Sequence, residues 1–166
     1  MIREAKLDDA VVIAKIIVET WQNAYDGIID QYYVDNLDVQ RFLQIITNNI
    51  KLKKEIIFVY EENEIIKGFI SGKFMDDDKH QCETVGFYVL PKYQQKGIGR
   101  ILFKQMKKMF FERNCRKMIL WTLKGAKNNS FYRNNGGVIA DEKILKIGEK
   151  EYSGVGFSFN LHPITN

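Results

Sequence analysis

The stretch Val85-Gly86-Phe87-Tyr88-Val89-Leu90-Pro91-Lys92-Tyr93-Gln94-Gln95-Lys96-Gly97-Ile98-Gly99-Arg100 predicts three structures in succession. Residues 84–90 are β-branched and aromatic enough to form a central strand. Pro91 ends it, because proline has no N–H to give to a ladder. A glycine-containing loop follows, and then Ile98, Ile101, Leu102, Met106, Met109 and Phe110 recur at helical spacing. The first N–H groups of such a helix lack internal partners, and the helix dipole adds positive potential there. Glycine removes the Cβ, so a diphosphate can approach the backbone closely. A strand–glycine loop–helix therefore predicts an anion site. It is not a Walker loop, since G-x-x-x-x-G-K-[ST] occurs nowhere. Nor is it a dinucleotide fingerprint, because Leu102 stands where the third glycine belongs.

Working outward, Ile2 to Glu4 is a short strand candidate. Asp8 and Asp9 are placed to cap a helix whose apolar face is Val12, Ile13, Ile16, Ile17 and Trp21. Residues 22–36 read as a polar and aromatic connection, followed by a helix carrying Val39, Phe42, Leu43 and Ile46. Ile56 to Tyr60 and Ile65 to Phe74 form a hairpin around Glu62-Asn63-Glu64. Beyond the long helix come a strand at Met118 to Trp121 and a helix over 128–135 that stops at Gly136-Gly137. Alternating runs at 138–147 and 152–161 close the chain as a second hairpin. The order β-α-α-β-β-β-α-β-α-β-β predicts an α/β domain over 1–166: a twisted, mostly antiparallel mixed sheet of six to seven strands flanked by helices.

The 166 residues, 45% hydrophobic and 28% charged with two prolines, carry a packed core rather than disorder. No stretch reaches the roughly 18–20 apolar residues of a membrane span, and no membrane partner is expected. The start, Met1 to Lys6, has no apolar signal core, and two cysteines make no disulfide framework, so a cytoplasmic location is expected. The net charge is +4, and between Lys92 and Lys117 nine basic residues face one acid, Glu112. That field suits an anionic ligand. The run lacks the evenly placed aromatics of a single-strand platform, so no nucleic-acid partner is expected. His80, Cys82 and the acidic 76–78 turn lack the spacing of a zinc or calcium site, and no metal is expected. Cys115 reads as a buried, inert thiol.

The series Gln94-x-x-Gly97-x-Gly99-Arg100 after its strand resembles the acetyl-CoA-binding signature of the GNAT superfamily of N-acetyltransferases. Phe131-Tyr132-Arg133-Asn134-Asn135-Gly136-Gly137 is similar to a helix end of the same family. The opening residues, with Trp21, Tyr25 and Gly27-Ile28, also look like its first strand and helix. The resemblance implies acetyl transfer from acetyl-CoA, used as cosubstrate, to a primary amine by direct attack, without metal or covalent enzyme intermediate. It implies that Gln94, Gln95, Lys96, Gly97, Ile98, Gly99 and Arg100 hold the diphosphate, and that Phe87, Tyr88 and Val89 offer backbone groups to the pantetheine arm and carbonyl.

By the same resemblance, Glu83 is the base, directly or through water, and Tyr132 protonates the departing thiolate. The family often has asparagine where Ala126 stands, and Asn128 is placed near the pantetheine or nucleotide instead. Trp21, Tyr25 and Asp26 are expected along the acceptor, where aromatic rings and carboxylates suit a cationic amine. The partner is a small-molecule or peptide amine; polyamine-like, amino-acid-like and protein N-terminal acceptors all fit. The apolar closing run can pair with another copy, so a homodimer is among the assemblies expected. A non-catalytic acyl-CoA sensor on the same fold is the alternative, and it would need neither Tyr132 nor Glu83.

Overall fold

The computed structural model describes residues 1–25 and 27–163. Seven strands run β1 (Ile2–Glu4), β2 (Ile56–Glu62), β3 (Ile65–Phe74), β4 (Cys82–Val89), β5 (Lys117–Leu123), β6 (Val138–Ile147) and β7 (Lys150–Asn160). The helices are α1 (Ala10–Ala24), α2 (Gln31–Asp35), α3 (Val39–Lys51), α4 (Ile98–Glu112) and α5 (Asn129–Asn134). One sheet holds all seven strands in the order β1-β2-β3-β4-β5-β7-β6. Every pairing is antiparallel except β4 with β5, where α4 supplies the crossover that a parallel pair requires.

Helices cover both faces. On one face α4 buries Leu102, Phe103, Met106 and Phe110 against Ile70, Met118, Leu120, Phe157 and Phe159. On the other, Ile13, Ile16 and Ile17 of α1 join Ile46 of α3 against Ile57, Val59 and Phe69. Alternation along β3 feeds both cores: Ile70 turns to α4 and Phe69 to α1.

Two details differ from the sequence reading. The connection at 22–36 contains α2, a single turn capped by Asp30, whose side chain accepts from the Tyr33 N–H at 3.1 Å. Five residues with two tyrosines give too short a pattern for periodicity to register. The aspartates before α1 also do not cap it forwards. A 3-10 turn at Leu7–Asp9 runs into the helix, and Asp9 reaches back to accept from the Lys6 N–H at 2.6 Å. Arg3 donates to both Asp9 oxygens, at 2.7 and 3.0 Å, and to Glu61 at 2.7 Å, tying β1, β2 and α1 together. The guanidinium holds the Asp9 carboxyl below its usual range, outweighing the opposite effect of its burial.

The sheet is interrupted at one place. Gly68 to Phe74 of β3 pair with β4 from end to end, but Ser71 opposes Gly86 while Gly72 opposes Thr84, leaving Val85 without a partner. This is a β-bulge, which bends a strand and sharpens its twist. β5 follows β4 for only three pairs, Cys82–Met118, Glu83–Ile119 and Thr84–Leu120. The pairing stops where the bulge begins, and the two strands part as a fork.

Candidate active site

Beyond Thr84, one edge of β4 has lost its neighbour. The Leu90 N–H donates to Lys67 O on β3 at 2.9 Å. Ladder groups alternate, so Tyr88 also bonds towards β3, while Phe87 and Val89 turn their N–H groups into the fork. The bulge preserves which side chains meet which core. Thr84 touches Met118 on the α4 side, Gly86 faces Ser71 and Phe69 on the α1 side, and Phe87 returns to the α4 side.

The fork opens into a cleft of about 940 Å³, within the size range of small-molecule sites. Its walls are α1 at Thr20, Asn23 and Ala24, the β4 residues 87–89, the loop at 94–100 and α5 at Asn128, Phe131 and Tyr132. A smaller recess of about 40 Å³ is lined by Thr84, Val85, Trp121 and Thr122. Tyr25, Phe87, Tyr88, Asn128 and Tyr132 border both cavities. The fork is thus a passage through the sheet with phenols around it.

The loop wall presents free backbone donors. Gly97, at φ +83°, stands immediately before α4 in a conformation that L side chains rarely adopt. Among the described residues, the N–H groups of Gly97, Ile98, Gly99 and Arg100 meet no acceptor. Gly97 and Gly99 both line the cleft. Gln94 donates from Nε2 to Val89 O at 2.9 Å, fastening the loop to the strand. These free donors beside glycines fit a diphosphate. Gln95 also lines the cleft, Ile98 turns its side chain into the α4 core, and Lys96 lies over the Tyr93 ring, 5.6 Å from its centroid.

Tyr132 is 4% exposed, and Asn128 donates to its hydroxyl at 3.4 Å. Burial pushes its phenol well above the usual 10.0. Tyr88 packs on Phe69 and accepts from Trp21 Nε1 at 3.1 Å. Burial likewise raises the phenols of Tyr88 and Tyr25, the latter also through its two phenolic neighbours. Tyr25 stacks edge-on to Trp21, 5.0 Å between centroids. Trp21 stands behind Tyr88 and lines neither cavity.

Glu83 lies at the closed end of the fork, 3.2 Å from Lys73, and lines neither cavity. Asp26 lies outside the described residues. Ala126 is buried beneath the site, and Asn129 holds the end of β5 through Leu123 O and Thr122. His80 is buried with Nε2 2.9 Å from Ser158 Oγ. Burial raises the Cys82 and Cys115 thiols above their usual range, which keeps them inert. Thr20, Asn23, Trp121 and Thr122 were missed from the sequence. Thr20 had a signal, since it continues the buried Ile13, Ile16, Ile17 stripe as a polar residue. Trp121 and Thr122 had none, because the parting of β4 from β5 leaves no local mark.

The fold agrees with that of known proteins. The model of the acetyltransferase (GNAT) family matches residues 15–136. The chain is 26% identical over 134 residues to the uncharacterized N-acetyltransferase YuaI of Bacillus subtilis, spanning 80% of this chain and 76% of that protein. It is 23% identical over 159 residues to a spermidine N(1)-acetyltransferase of Thermoplasma acidophilum, spanning 91% and 96%. In fold it is similar to the PaiA N-acetyltransferase of Thermoplasma acidophilum, solved in complex with coenzyme A, with TM-score 0.78, 19% identity and coverage of 96% and 98%. It is also similar to an acetyltransferase of Salmonella typhimurium solved with acetyl-CoA, with TM-score 0.71, 19% identity and coverage of 100% and 96%. With the glycine loop, the forked strands and a family match over most of its length, the chain belongs to the GNAT family of acetyltransferases.

Proposed function

We propose that the enzyme transfers the acetyl group of acetyl-CoA directly to a primary amine of a small molecule or peptide, and that a polyamine is the first acceptor to test. The observation that carries this is the fork, where one cleft is lined by α1 on one face of the sheet and by the glycine loop and α5 on the other, with a smaller recess sharing its border. A donor and an acceptor can therefore meet at one point from opposite sides. The relative that acts on spermidine motivates the polyamine, and the aromatic border of Tyr25 and Tyr88 suits a cationic amine.

When bound, acetyl-CoA supplies an activated acyl group. The free N–H groups at 97–100 hold its diphosphate, with Gln94, Gln95, Lys96 and Arg100 around it. Phe87, Tyr88 and Val89 run beside its pantetheine arm, and Asn128 offers a carboxamide from the facing wall. The Val89 N–H, turned into the fork, steadies the negative charge that develops on the acyl oxygen; one such donor is worth roughly 3 kcal/mol. Tyr132 donates its proton to the departing thiolate. The amine arrives along Tyr25, which Asp26 follows in the sequence. Glu83 is set back from the cavities, so its part in taking the ammonium proton runs through water.

Thermal unfolding with acetyl-CoA, ATP, NAD and salt-matched polyphosphate tests the loop assignment. Stabilisation by CoA species alone is expected, by about 2.7 kcal/mol at a hundredfold excess over Kd. Thiol release with spermidine, amino acids and an N-terminal peptide then tests transfer. Binding without thiol release from any amine would favour the sensor reading.

A further inference from the structure

Two phenols border the fork from opposite faces of the sheet, and both are wired alike. Tyr88 lies on the α1 side and receives an N–H from Trp21 Nε1 at 3.1 Å. Tyr132 lies on the α4 side and receives an N–H from Asn128 Nδ2 at 3.4 Å. A phenol oxygen that accepts an N–H keeps its own proton to give. Among the described residues no acceptor takes the proton of either hydroxyl. Both residues border the cleft and the recess, so the two free donors converge on the passage. Burial keeps both phenols protonated across the neutral range.

Acyl transfer from a thioester develops negative charge on two atoms in turn, the acyl oxygen and then the sulfur. With Tyr132 given to the sulfur, the geometry points to the Tyr88 hydroxyl as a side-chain hydrogen-bond donor to the acyl oxygen, with Trp21 as the residue that positions it. This rests on the acetyl-transfer reading above. As the amine nitrogen forms its C–N bond, the carbonyl π pair moves onto oxygen, and Tyr88 and the Val89 N–H meet that charge together. The pair then returns, the C–S bond breaks, and the sulfur takes the Tyr132 proton. The amine's surplus proton leaves to water, from which Tyr132 is reprotonated. Tyr88 keeps its proton throughout, so its contribution is charge stabilisation without proton transfer. The role assigned to Trp21 changes accordingly: its N–H is committed to Tyr88 rather than to the acceptor.

Tyr88→Phe removes one oxygen and leaves the ring on Phe69. We expect kcat to fall about a hundredfold, with KM for acetyl-CoA and the thermal shift produced by CoA unchanged. Trp21→Phe keeps the Tyr88 hydroxyl but frees its orientation, and kcat should fall about tenfold. The double variant should be no slower than Tyr88→Phe alone, because Trp21 acts only through Tyr88. The inference is overturned if Tyr88→Phe keeps kcat within threefold, or if it loses CoA stabilisation in step with turnover, the mark of a packing role. Additive losses in the double variant would remove Trp21 as the positioning residue. Should Tyr88→Phe not fold, the split between kcat and KM in Trp21→Phe decides instead. A wild-type protein that neither gains stability from CoA nor releases thiol would sink the acetyl-transfer reading itself. A competent wild type with an unaffected Tyr88→Phe sinks only this inference.

Discussion

The two edges of β4 are built in opposite ways. Towards β3, the strand pairs from Cys82 to Val89, interrupted only by the bulge at Val85. Towards β5, it pairs from Cys82 to Thr84 and then stands alone. The paired edge fixes the strand, and the unpaired edge leaves backbone donors pointing into a space a ligand can occupy. A buried N–H without a partner is costly, so unpaired ladder groups are kept where a substrate completes them. The comparison assigns rigidity to one side of a single strand and chemistry to the other.

Deleting Val85 is the most direct way to break that contrast. Thr84 and Gly86 already face opposite sides, so the shortened strand keeps its alternation and can zip further along β5. With the fork closed, Phe87 and Val89 bond within the sheet. Acetyl transfer should fall by more than about a thousandfold, since oxyanion donors count for 10²–10³ each. Circular dichroism should remain that of the folded protein.

Tyr132→Phe sharpens the comparison from the facing wall. On the proposed mechanism it removes the proton for the sulfur, and it leaves the fork intact. We expect kcat to drop about a hundredfold, within the usual range for general acids, with CoA binding preserved in a thermal-shift assay.

Thr20→Val is a milder test. Thr20 Oγ1 is the buried side-chain oxygen without a hydrogen-bond partner among the described residues, and it lies on the α1 wall. Replacing that hydroxyl with a methyl group should raise stability in denaturant by about 1 kcal/mol. Unchanged or lower stability would mean that the oxygen is satisfied by water.

The smallest effect concerns pH. Burial raises the phenols of Tyr25, Tyr88 and Tyr132 above the unfolded value of 10.0. The folded state then holds protons that the unfolded state releases. Stability is therefore complete below pH 10 and declines as pH rises beyond it. Alkaline unfolding followed by tyrosinate absorbance should show the three phenols ionising only as the protein unfolds. A normal titration of all three in the folded state would contradict the burial.

Legibility in the sequence divides along the same strand. The glycine loop, its helix and the strand before them are contiguous from Val85 to Arg100, so residue type and spacing carried the strand–loop–helix and its free donors. The sheet was legible in order and sense because each hairpin has its own turn and alternation. The recess was not. It requires β5 to leave β4 after Leu120, and that depends on one extra residue in β4 and on a parallel partner more than thirty positions away. The family resemblance put Trp21 along the acceptor, whereas the bond that joins its N–H to Tyr88 crosses 67 positions and leaves no mark in the sequence. Glu83 matched a family position, and its pairing with Lys73 belongs to a register that only the folded hairpin displays.

The three pairs between β4 and β5 are also the seam between the two halves of the sheet, β1 to β4 and β5-β7-β6. Its ladder is short, and Gln81 extends the joint at the closed end: its N–H donates to Lys117 O and its Oε1 accepts from the Arg116 and Lys117 N–H groups. Side chains from both halves also meet beneath α4, where Ile70 and Cys82 join Met118, Leu120 and Phe157 in one cluster. A ladder locks strands in a single register, whereas apolar packing is non-directional and tolerates small rotations. The halves are thus bonded at the closed end of the fork and joined beyond it by side-chain packing under one helix.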